Sequence, residues 1–554
     1  MTSPFSRVES FAPILQEPVW HQHRELEASS VEARIRLAYE RARSLINAVA
    51  FTLDSGAWTI LTIHWNLCIG TISSFLPQRS DLLPLLQALE KFDTCGEFLL
   101  TELGHGLDVR NLETTAAHQA DGSFVLHTPN PRAAKTMPPS SPHSGMARTA
   151  VVFARLIVAG KDHGVRPFIV PLNDASGAMC RGVSCTLFPA RPGTKAVDHA
   201  STSFRHVPLP ANALLGHLHG SPEDERKYFM RAIHRVTVGT LCLSTSNATV
   251  LRVSGCIAGR YSAKRRVGAP KSVPILSFST QYGPIARTLV HDVVFDKYAI
   301  EAMQLFIANV GKPDMENVIA SIFKATVLDY TQKALSELVD RCGWQGLYAH
   351  NQISEVWLAE KGNSIAEGDF VVLCIRLASE IFLGRYAPPK PRDPQCFLAR
   401  HESGVWNEAR QILASLHGGH RGKEFNARLL PLSLPLVRAT GQRMAYEAAK
   451  DAMGHENDHG LGIAPQVLAL YESTCMMEDQ SWYVENGIMS RRALLNRDID
   501  ALNSMLPLLE GMINDPAVDA FINAPMVDQD RLAAFFSSLP SFQGPETEYF
   551  QAKI

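Results

Sequence analysis

Hydrophobic residues recur at two different spacings along this chain. Up to about residue 95 they recur at i, i+3 and i+4, as in residues 31–51 (VEARIRLAYERARSLINAVAF), and this pattern predicts helices. Residues 96–216 instead contain short runs rich in β-branched and aromatic residues, such as ARTAVVFARLIV, separated by Gly, Pro, Asn and Asp clusters. These runs predict strands. Helical spacing then returns and continues almost to the last residue.

The change in spacing predicts an α+β multidomain protein with four parts. We expect an N-terminal α domain at 1–95, a central β domain at 96–216, an α-helical bundle domain at 217–390 and a C-terminal α domain at 391–554. The helical stretches of the third part are long, as in a bundle. The proline-rich residues 386–394 (YAPPKPRDP) predict a stiff linker between the last two parts.

Residues 55–78 (SGAWTILTIHWNLCIGTISSFLPQ) carry no formal charge and are long enough to cross a membrane. His64, Asn66 and several Ser, Thr and Gly residues make the segment too polar for that role. We therefore expect a buried pair of helices here and no membrane span.

Composition and charge restrict the partner class. The 554 residues are 46% hydrophobic and 19% charged, with 53 basic and 55 acidic side chains and a net charge of −2. Because no long basic run is present, a small molecule is a better expected partner than a nucleic acid. Ten scattered cysteines without a CxxC pair indicate reduced, buried thiols. Neither a secretory signal nor a terminal Ser-Lys-Leu address is recognisable, so we expect a cytoplasmic or peroxisomal protein.

One segment matches a metal motif only formally. Residues 455–459 (HENDH) fit the HExxH pattern, in which a helix places two imidazoles one turn apart as zinc ligands. Gly454 and Gly460 flank the segment and polar residues fill it, so we interpret it as a polar loop. The chain also lacks a GxSxG serine, which argues against a hydrolase.

A single carboxylate lies at the start of an apolar helix in residues 364–369 (SIAEGD). Ser364 and Glu367 have the spacing of a capping box, in which each side chain satisfies an amide of the first turn. Alternatively, Glu367 is a proton-abstracting base, because Gly368 lets a flat molecule approach and apolar surroundings would raise the carboxyl pKa towards neutrality. The six residues alone support both interpretations.

Two further segments carry polar groups at the ends of predicted elements. Thr101 is followed by a Gly-rich turn (ELGHG), where its hydroxyl could face a planar ring or merely end a strand. Residues 260–266 (RYSAKRR) form a basic stretch that could pair with a pyrophosphate or form a solvated helix face.

Taken together, these segments resemble the acyl-CoA oxidase family of the acyl-CoA dehydrogenase superfamily. The similar segments keep the family order over roughly residues 60–385, and the chain is identified as a divergent member. They are TELGHG with LETTA (101–106 and 112–116), the FxxVxVPxxxLLG-like segment (204–216), RYSAKRR (260–266), FSTQ (278–281), CGWQG (342–346) and EGD (367–369).

The resemblance implies a β-barrel-like central domain, a homodimer and FAD bound between the β domain and the bundle. It implies that Glu367 is the catalytic base and that Thr101 contacts the flavin ring. The residues that it assigns to the phosphates and the adenosine end of FAD are Arg265, Gln281, Gly343 and Gly346. A segment that reads WWPGG in the family reads TMPPS here, so Pro139 takes the place beside the flavin.

The implied activity is α,β-desaturation of an acyl-CoA thioester. Glu367 would remove the α-proton, the flavin would receive the β-hydride, and oxygen would be the electron acceptor. Three departures from the family pattern bear on this: Pro139 has no amide to donate, Trp344 replaces a glycine of CGGxG, and Phe370 replaces the Asn of EGDN. They leave two alternatives open, a specialised-metabolism flavoenzyme acting on a non-CoA carbonyl compound and a flavin-free structural homologue.

Overall fold

Helices form both ends of the described chain and strands form its middle. The computed structural model describes residue 52 and residues 54–194, 197–218, 228–418, 420, 422–454 and 463–544. The α+β multidomain fold class is therefore confirmed. The predicted helix at 31–51 and the HENDH segment lie outside the described residues.

The α-helices, in chain order, are α1 (Ser55–Thr62), α2 (Gly70–Ser73), α3 (Leu83–Glu90), α4 (His234–Ser244), α5 (Ser246–Lys264), α6 (Ser279–Ala308), α7 (Pro313–Arg341), α8 (Ile353–Ile365), α9 (Phe370–Phe382), α10 (Phe397–Ser415), α11 (Lys423–Arg428), α12 (Ser433–Asp451), α13 (Pro465–Glu478), α14 (Gln480–Glu485), α15 (Arg491–Ile513) and α16 (Gln529–Ser537). The strands are β1 (Thr94–Leu99), β2 (Thr115–His118), β3 (Phe124–His127), β4 (Lys135–Thr136), β5 (Ala147–Val158), β6 (Lys161–Asn173), β7 (Val183–Leu187), β8 (Ala200–Phe204), β9 (Val207–Leu209), β10 (Arg266–Val267) and β11 (Val273–Pro274).

The uncharged segment at 55–78 begins with one continuous helix, so the prediction of a helix pair is wrong. A π-helical stretch, Ile63–Ile69, joins α1 to α2 without a break. Asp54 caps the start through its Oδ1, which accepts from the amides of Gly56 and Ala57 at 3.0 and 3.1 Å. In the described part of the chain, Ser55–Gln78 alone is long and apolar enough to cross a membrane, but 61% of its most apolar window is buried, as in a core helix.

The central strands form one six-stranded sheet and one three-stranded sheet. In the larger sheet the order is β1-β5-β2-β3-β9, and β6 pairs with β5 as well. Strands β1 and β2 run parallel to β5, whereas β6 is antiparallel to it. The smaller sheet has the order β4-β8-β7. An isolated bridge between Glu102 and Lys135 places the loop after β1 next to β4, which positions one side of the candidate site.

Two hydrophobic cores support this arrangement. One is confined to the sheet, where Phe124 and Phe168 meet with ring centroids 5.3 Å apart. The other runs continuously through α1, the long helices α4–α9 and the C-terminal helices. Helix α15 packs closely on α5, since an added Cβ on Gly259 would lie 2.6 Å from Ile513. The domain limits at residues 95, 216 and 390 remain our proposal.

Candidate active site

Glu367 lies in the turn between α8 and α9, and the capping-box interpretation is wrong. Ser364 belongs to the last turn of α8, where its hydroxyl donates to the carbonyl oxygen of Lys361 at 2.8 Å. Asp369 caps α9 instead, since its Oδ1 accepts from the amides of Val371 and Val372 at 3.0 and 3.1 Å. The cap is therefore supplied two residues after Glu367, whose side chain is left for another role.

The turn holds Glu367 in an uncommon backbone conformation. Its φ is +54°, in the left-handed region, and Gly368 follows at +103°. Such a conformation costs a residue with a Cβ on the order of 1–2 kcal/mol, so neighbouring contacts must hold it. The hydroxyl of Thr240 lies 2.8 Å from the carbonyl oxygens of both Glu367 and Val236, which share its one proton. Lys324 donates to the carbonyl oxygens on both sides of Glu367, those of Ala366 and Gly368.

The carboxyl group of Glu367 is buried against helix α4. Its Oε2 is inaccessible to solvent and has no hydrogen-bond partner among the described residues. Its Oε1 accepts from Nδ2 of Asn66 at 3.4 Å. An added Cβ on Gly239 would lie 1.4 Å from Oε2, so the glycine provides the space that the carboxyl group occupies. Burial raises the pKa of Glu367 to about 8, against the opposing effects of Lys324, Asn66 and Arg235.

Asn66 is itself held in place by Arg235, a buried residue of α4. Nε of Arg235 donates to the carbonyl oxygen of Asn66 at 3.0 Å, and Nη2 donates to its Oδ1 at 2.7 Å. Nδ2 of Asn66 donates in turn to the carbonyl oxygen of Arg235 at 3.1 Å. These three bonds fix the orientation of the side-chain amide, so that its Nδ2 faces Glu367.

Thr101 follows strand β1 and is anchored by its neighbours. Its carbonyl oxygen accepts from the amide of Thr136 at 3.0 Å. The next residue, Glu102, forms a fully buried ion pair with Lys135 at 3.0 Å and also accepts from the amides of Glu113 and Thr114. The hydroxyl of half-buried Thr101 bonds to no described residue, so it remains available to a ligand.

The buried Glu102–Lys135 pair predicts a stability effect. We expect Lys135→Met to lower the free energy of unfolding by about 3–5 kcal/mol, because it leaves a buried carboxylate without its cation. Denaturant titration measures the change. The matched control is Lys450→Met, whose 3.5 Å pair with Asp393 is exposed and should contribute less than about 1 kcal/mol. If the two variants lowered the free energy of unfolding equally, the Glu102–Lys135 pair would not be a buried ion pair that stabilises the fold.

Pro139 lies in a buried turn that leads from β4 towards the rest of the β domain. The preceding carbonyl oxygen, that of Pro138, accepts from the amides of Ser140 and Ala200 at 3.0 and 3.2 Å. This turn is close in sequence to Thr136, which bonds to Thr101. Pro139 is itself buried and has no backbone N–H, so it supplies no donor at this place.

The other four predicted residues lie together at the far end of the bundle. Nε2 of Gln281 donates to Oγ of Ser262 and to the carbonyl oxygen of Arg341, both at 2.8 Å. Arg265 is exposed at the end of α5, while Gly343 and Gly346 follow α7; an added Cβ on Gly346 would lie 2.3 Å from the carbonyl oxygen of Val339. Trp344, in the same turn, is 72% exposed.

Helix α7 separates this group from Glu367. Lys324, which contacts the Glu367 turn, and Arg341, which contacts Gln281, both belong to α7. At a rise of 1.5 Å per residue, their separation of 17 positions along the helix spans about 26 Å. The structure therefore brings Glu367 together with Asn66, Arg235, Gly239 and Lys324, and places the Arg265–Gln281 group elsewhere in the same chain.

Sequence reasoning missed the four residues around Glu367. For three of them the sequence context contains a hint, since each interrupts an apolar helical run: Asn66 in TIHWNLCIG, Gly239 in VTVGTLCL and Lys324 in ASIFKATVL. A polar residue on a buried helix face often has a partner elsewhere in the fold, and a glycine there often leaves space for a residue from another element. The sequence does not identify that partner, because the contacts join residues far apart in the chain.

Curated relatives of the chain are acyl-CoA oxidases. It is 27% identical to acyl-CoA oxidase 1 of Yarrowia lipolytica over 91% of this chain and 80% of that protein. It is 29% identical to the peroxisomal acyl-CoA oxidase 2 of Arabidopsis thaliana over 54% of this chain and 46% of that protein. With an acyl-CoA oxidase of Caenorhabditis elegans the shares are 57% and 49%, so these two alignments span about half of each relative. No family model matches the chain.

Solved structures agree in fold. Acyl-CoA oxidase 2 of Caenorhabditis elegans, determined with FAD, ascaroside-CoA and ATP, superposes with a TM-score of 0.76 at 18% identity, covering 96% of this chain and 90% of that one. Acyl-CoA oxidase 3 of Yarrowia lipolytica gives a TM-score of 0.75 at 18% identity, covering 99% and 90%. The resemblance that the sequence motifs indicated is thereby confirmed: the chain is similar in sequence to acyl-CoA oxidases over most of its length and shares their fold.

Proposed function

We propose that this protein is an FAD-dependent oxidoreductase that desaturates an acyl-CoA thioester, with Glu367 as the base. The carboxyl group of Glu367 carries the proposal, because it is buried, has one oxygen without a partner among the described residues and sits on a turn held by three hydrogen bonds. A cap or a structural ion pair would have both oxygens satisfied. The relatives' names and the complex of the Caenorhabditis elegans enzyme support the same substrate class.

The free amides of the turn supply the second requirement of the chemistry. Removing an α-proton from a thioester places negative charge on the carbonyl oxygen, which donors must stabilise. The backbone N–H groups of Glu367 and Gly368 donate to no acceptor in the described part of the chain. A thioester carbonyl bound at these amides would lie next to the carboxylate that removes the proton. Asn66 and Arg235 fix the direction from which that carboxylate acts.

Two groups of the predicted residues would hold FAD, one at its ring and one at its phosphates and adenosine. The free hydroxyl of Thr101 would contact the ring, beside the buried turn that contains Pro139, and Arg265, Gln281, Gly343 and Gly346 would hold the phosphates and adenosine. When bound, FAD supplies the acceptor for the β-hydride, and oxygen then takes the electrons. Pro139 would contribute packing but no hydrogen bond to the ring.

We also propose a homodimer. The end of the bundle near Arg265 and Gly343 presents large apolar side chains to solvent, which a partner surface would cover. They are Val267, Val273, Phe278, Trp344, Leu347 and Tyr348, each between 38% and 72% exposed. As to compartment, relatives from Arabidopsis thaliana and Homo sapiens are named peroxisomal, and we propose a peroxisomal or cytoplasmic location.

Cofactor content and substrate choice test the proposal. We expect the purified protein to contain FAD, or to take it up, and to release hydrogen peroxide when an acyl-CoA is added. A series of acyl-CoA chain lengths would define the substrate, and the matching free acids and non-CoA esters would serve as controls. Flavin reduction by a non-CoA compound alone would overturn the substrate class, and a protein that cannot bind FAD would overturn the enzyme assignment.

The raised pKa of Glu367 predicts a pH dependence. Because the carboxylate is the active form, we expect kcat/KM for the acyl-CoA to rise with pH and to level off above about 8. Below that pH it should fall about tenfold for each unit, as the carboxyl group becomes protonated. The measurement is an initial-rate profile between pH 5.5 and 9.5 (roughly, within the stable range of most proteins). A rate that is already maximal near pH 6 would contradict a base with this pKa.

A further inference from the structure

Lys324 is a buried cation on an otherwise apolar stretch of α7. Its side chain is fully buried, and the residues around it in sequence, such as Phe323 and Ala325, belong to the helical core. A buried ammonium group is costly unless it is hydrogen-bonded and near negative charge. Lys324 therefore needs hydrogen-bond acceptors, and these lie in the turn that contains Glu367.

Both hydrogen bonds of Lys324 flank the proposed base. Nζ donates to the carbonyl oxygen of Ala366, the residue before Glu367, and at 2.6 Å to that of Gly368, the residue after it. Between these anchors Glu367 has its φ of +54°. The carbonyl group of Ala366 belongs to the peptide plane before Glu367, and that of Gly368 belongs to the plane after Gly368, so Lys324 holds the turn at both ends. The carbonyl group of Glu367, in the plane between them, accepts from Thr240. Lys324 is thus placed to keep the turn in its left-handed conformation.

The charges that surround Lys324 come from three elements. Glu367 and Asp369 of the turn and Glu360 of α8 all interact electrostatically with its ammonium group. Arg235 of α4 acts on Glu367 from another side. Burial lowers the pKa of Lys324 to about 8 and raises that of Glu360 to about 8. The positive charge of Lys324 therefore opposes the effect of burial on the carboxyl group of Glu367.

We propose that Lys324 is a positioning residue for the base, which fixes the Glu367 turn through two backbone carbonyls and favours the ionised carboxylate through its charge. The catalytic consequence rests on the proposed function. The effects on the turn and on the ionisation of Glu367 do not, and they can be measured without a substrate.

Three substitutions separate charge from packing. Lys324→Met removes the charge and the donors while keeping a long apolar side chain, Lys324→Gln keeps a donor without the charge, and Lys324→Arg keeps both. Lys333→Met is the matched control, because Lys333 lies on the same helix with its side chain 54% exposed and pairs only with Asp329 among the described acids. If the Met variant does not fold, the Gln variant provides the same comparison of charge.

The first readout is the pH profile of kcat/KM for the acyl-CoA. Losing a nearby cation raises the pKa of a carboxyl group, so we expect the rising limb of the Met and Gln variants to move up by about one pH unit. The Arg variant should recover most of the wild-type profile, and Lys333→Met should not shift it. A merely structural lysine would lower the rate at every pH without moving the limb, and that result would overturn the proposal.

The second readout is the melting temperature as a function of pH, without substrate. The folded-state pKa of Glu367, about 8, exceeds its ordinary value of 4.5, so its protonation stabilises the folded state at low pH, and that contribution is lost as pH rises from about 4.5 to about 8. Comparison with Glu367→Gln in the same background isolates this change. In the Lys324→Met background the loss should continue about one pH unit higher.

The two readouts distinguish the two proposals. A melting shift in a protein that no acyl-CoA reduces would support the role of Lys324 and contradict the proposed function. Normal reduction of the flavin with no shift in either profile would overturn the role of Lys324 and leave the proposed function standing.

Discussion

Glu367→Gln should reduce the rate of flavin reduction by acyl-CoA about a thousandfold. The substitution keeps the shape of the side chain but removes the base, and general-base catalysis of this kind contributes on the order of 10²–10⁴ in rate. FAD content and the affinity for the thioester should change little, because the turn and its hydrogen bonds are retained. Rapid mixing under anaerobic conditions measures the rate, and equilibrium titration measures the affinity.

A matched control for this variant is Glu380→Gln. Glu380 lies on α9, the helix that follows the Glu367 turn, and pairs with Arg385 at 3.1 Å near the surface. Its replacement should leave the rate within about twofold, since surface pairs contribute little. Retention of more than about a tenth of the wild-type rate in Glu367→Gln would show that another group removes the proton.

Gly239→Ala should impair the same step although the chemistry of the Glu367 side chain is unchanged. The new Cβ would lie 1.4 Å from Oε2 of Glu367 and 2.1 Å from Cδ, so the carboxyl group has to move. A displacement of about 1 Å from a productive position can cost about a hundredfold in rate. We therefore expect a loss of about that size in flavin reduction, measured as for Glu367→Gln, with the protein still folded.

Gly511→Ala tests the same substitution where there is space. Gly511 lies in α15, and no atom lies within 4 Å of an added Cβ. Alanine is the better helix former, so this variant should be more stable by about 0.5–1 kcal/mol and fully active. If Gly239→Ala behaved like Gly511→Ala, the space beside Glu367 would be wider than the structure indicates.

The fold could be predicted from the sequence because its signals are local. Helical and strand spacing distinguish the β region from the helical parts, and the family motifs indicate Glu367. The capping box failed for a local reason too: Ser364 and Glu367 had the right spacing, but α8 continues to Ile365 and Asp369 caps the next helix. Two residues with equal capping ability cannot be ranked without knowing where the first helix ends.

The surroundings of Glu367 could not be predicted because they depend on long-range contacts. Asn66 lies 301 residues before Glu367 in the chain, and Thr240 lies 127 residues before it. The single helix in residues 55–73 is a different case, because its signal is local: neither a Pro nor a second cap interrupts the run. Long-range packing therefore decides the surroundings of Glu367, whereas the prediction of a helix pair overlooked a local signal.

Product analysis of a single anaerobic turnover tests the central claim most directly. The FAD-loaded protein is mixed with a slight excess of saturated acyl-CoA, the flavin absorbance is followed, and the thioesters are then identified. The account predicts one 2-enoyl-CoA for each flavin reduced in the wild-type protein and none on the same timescale in Glu367→Gln. Flavin reduction without an enoyl product, or equal product from both proteins, would contradict it.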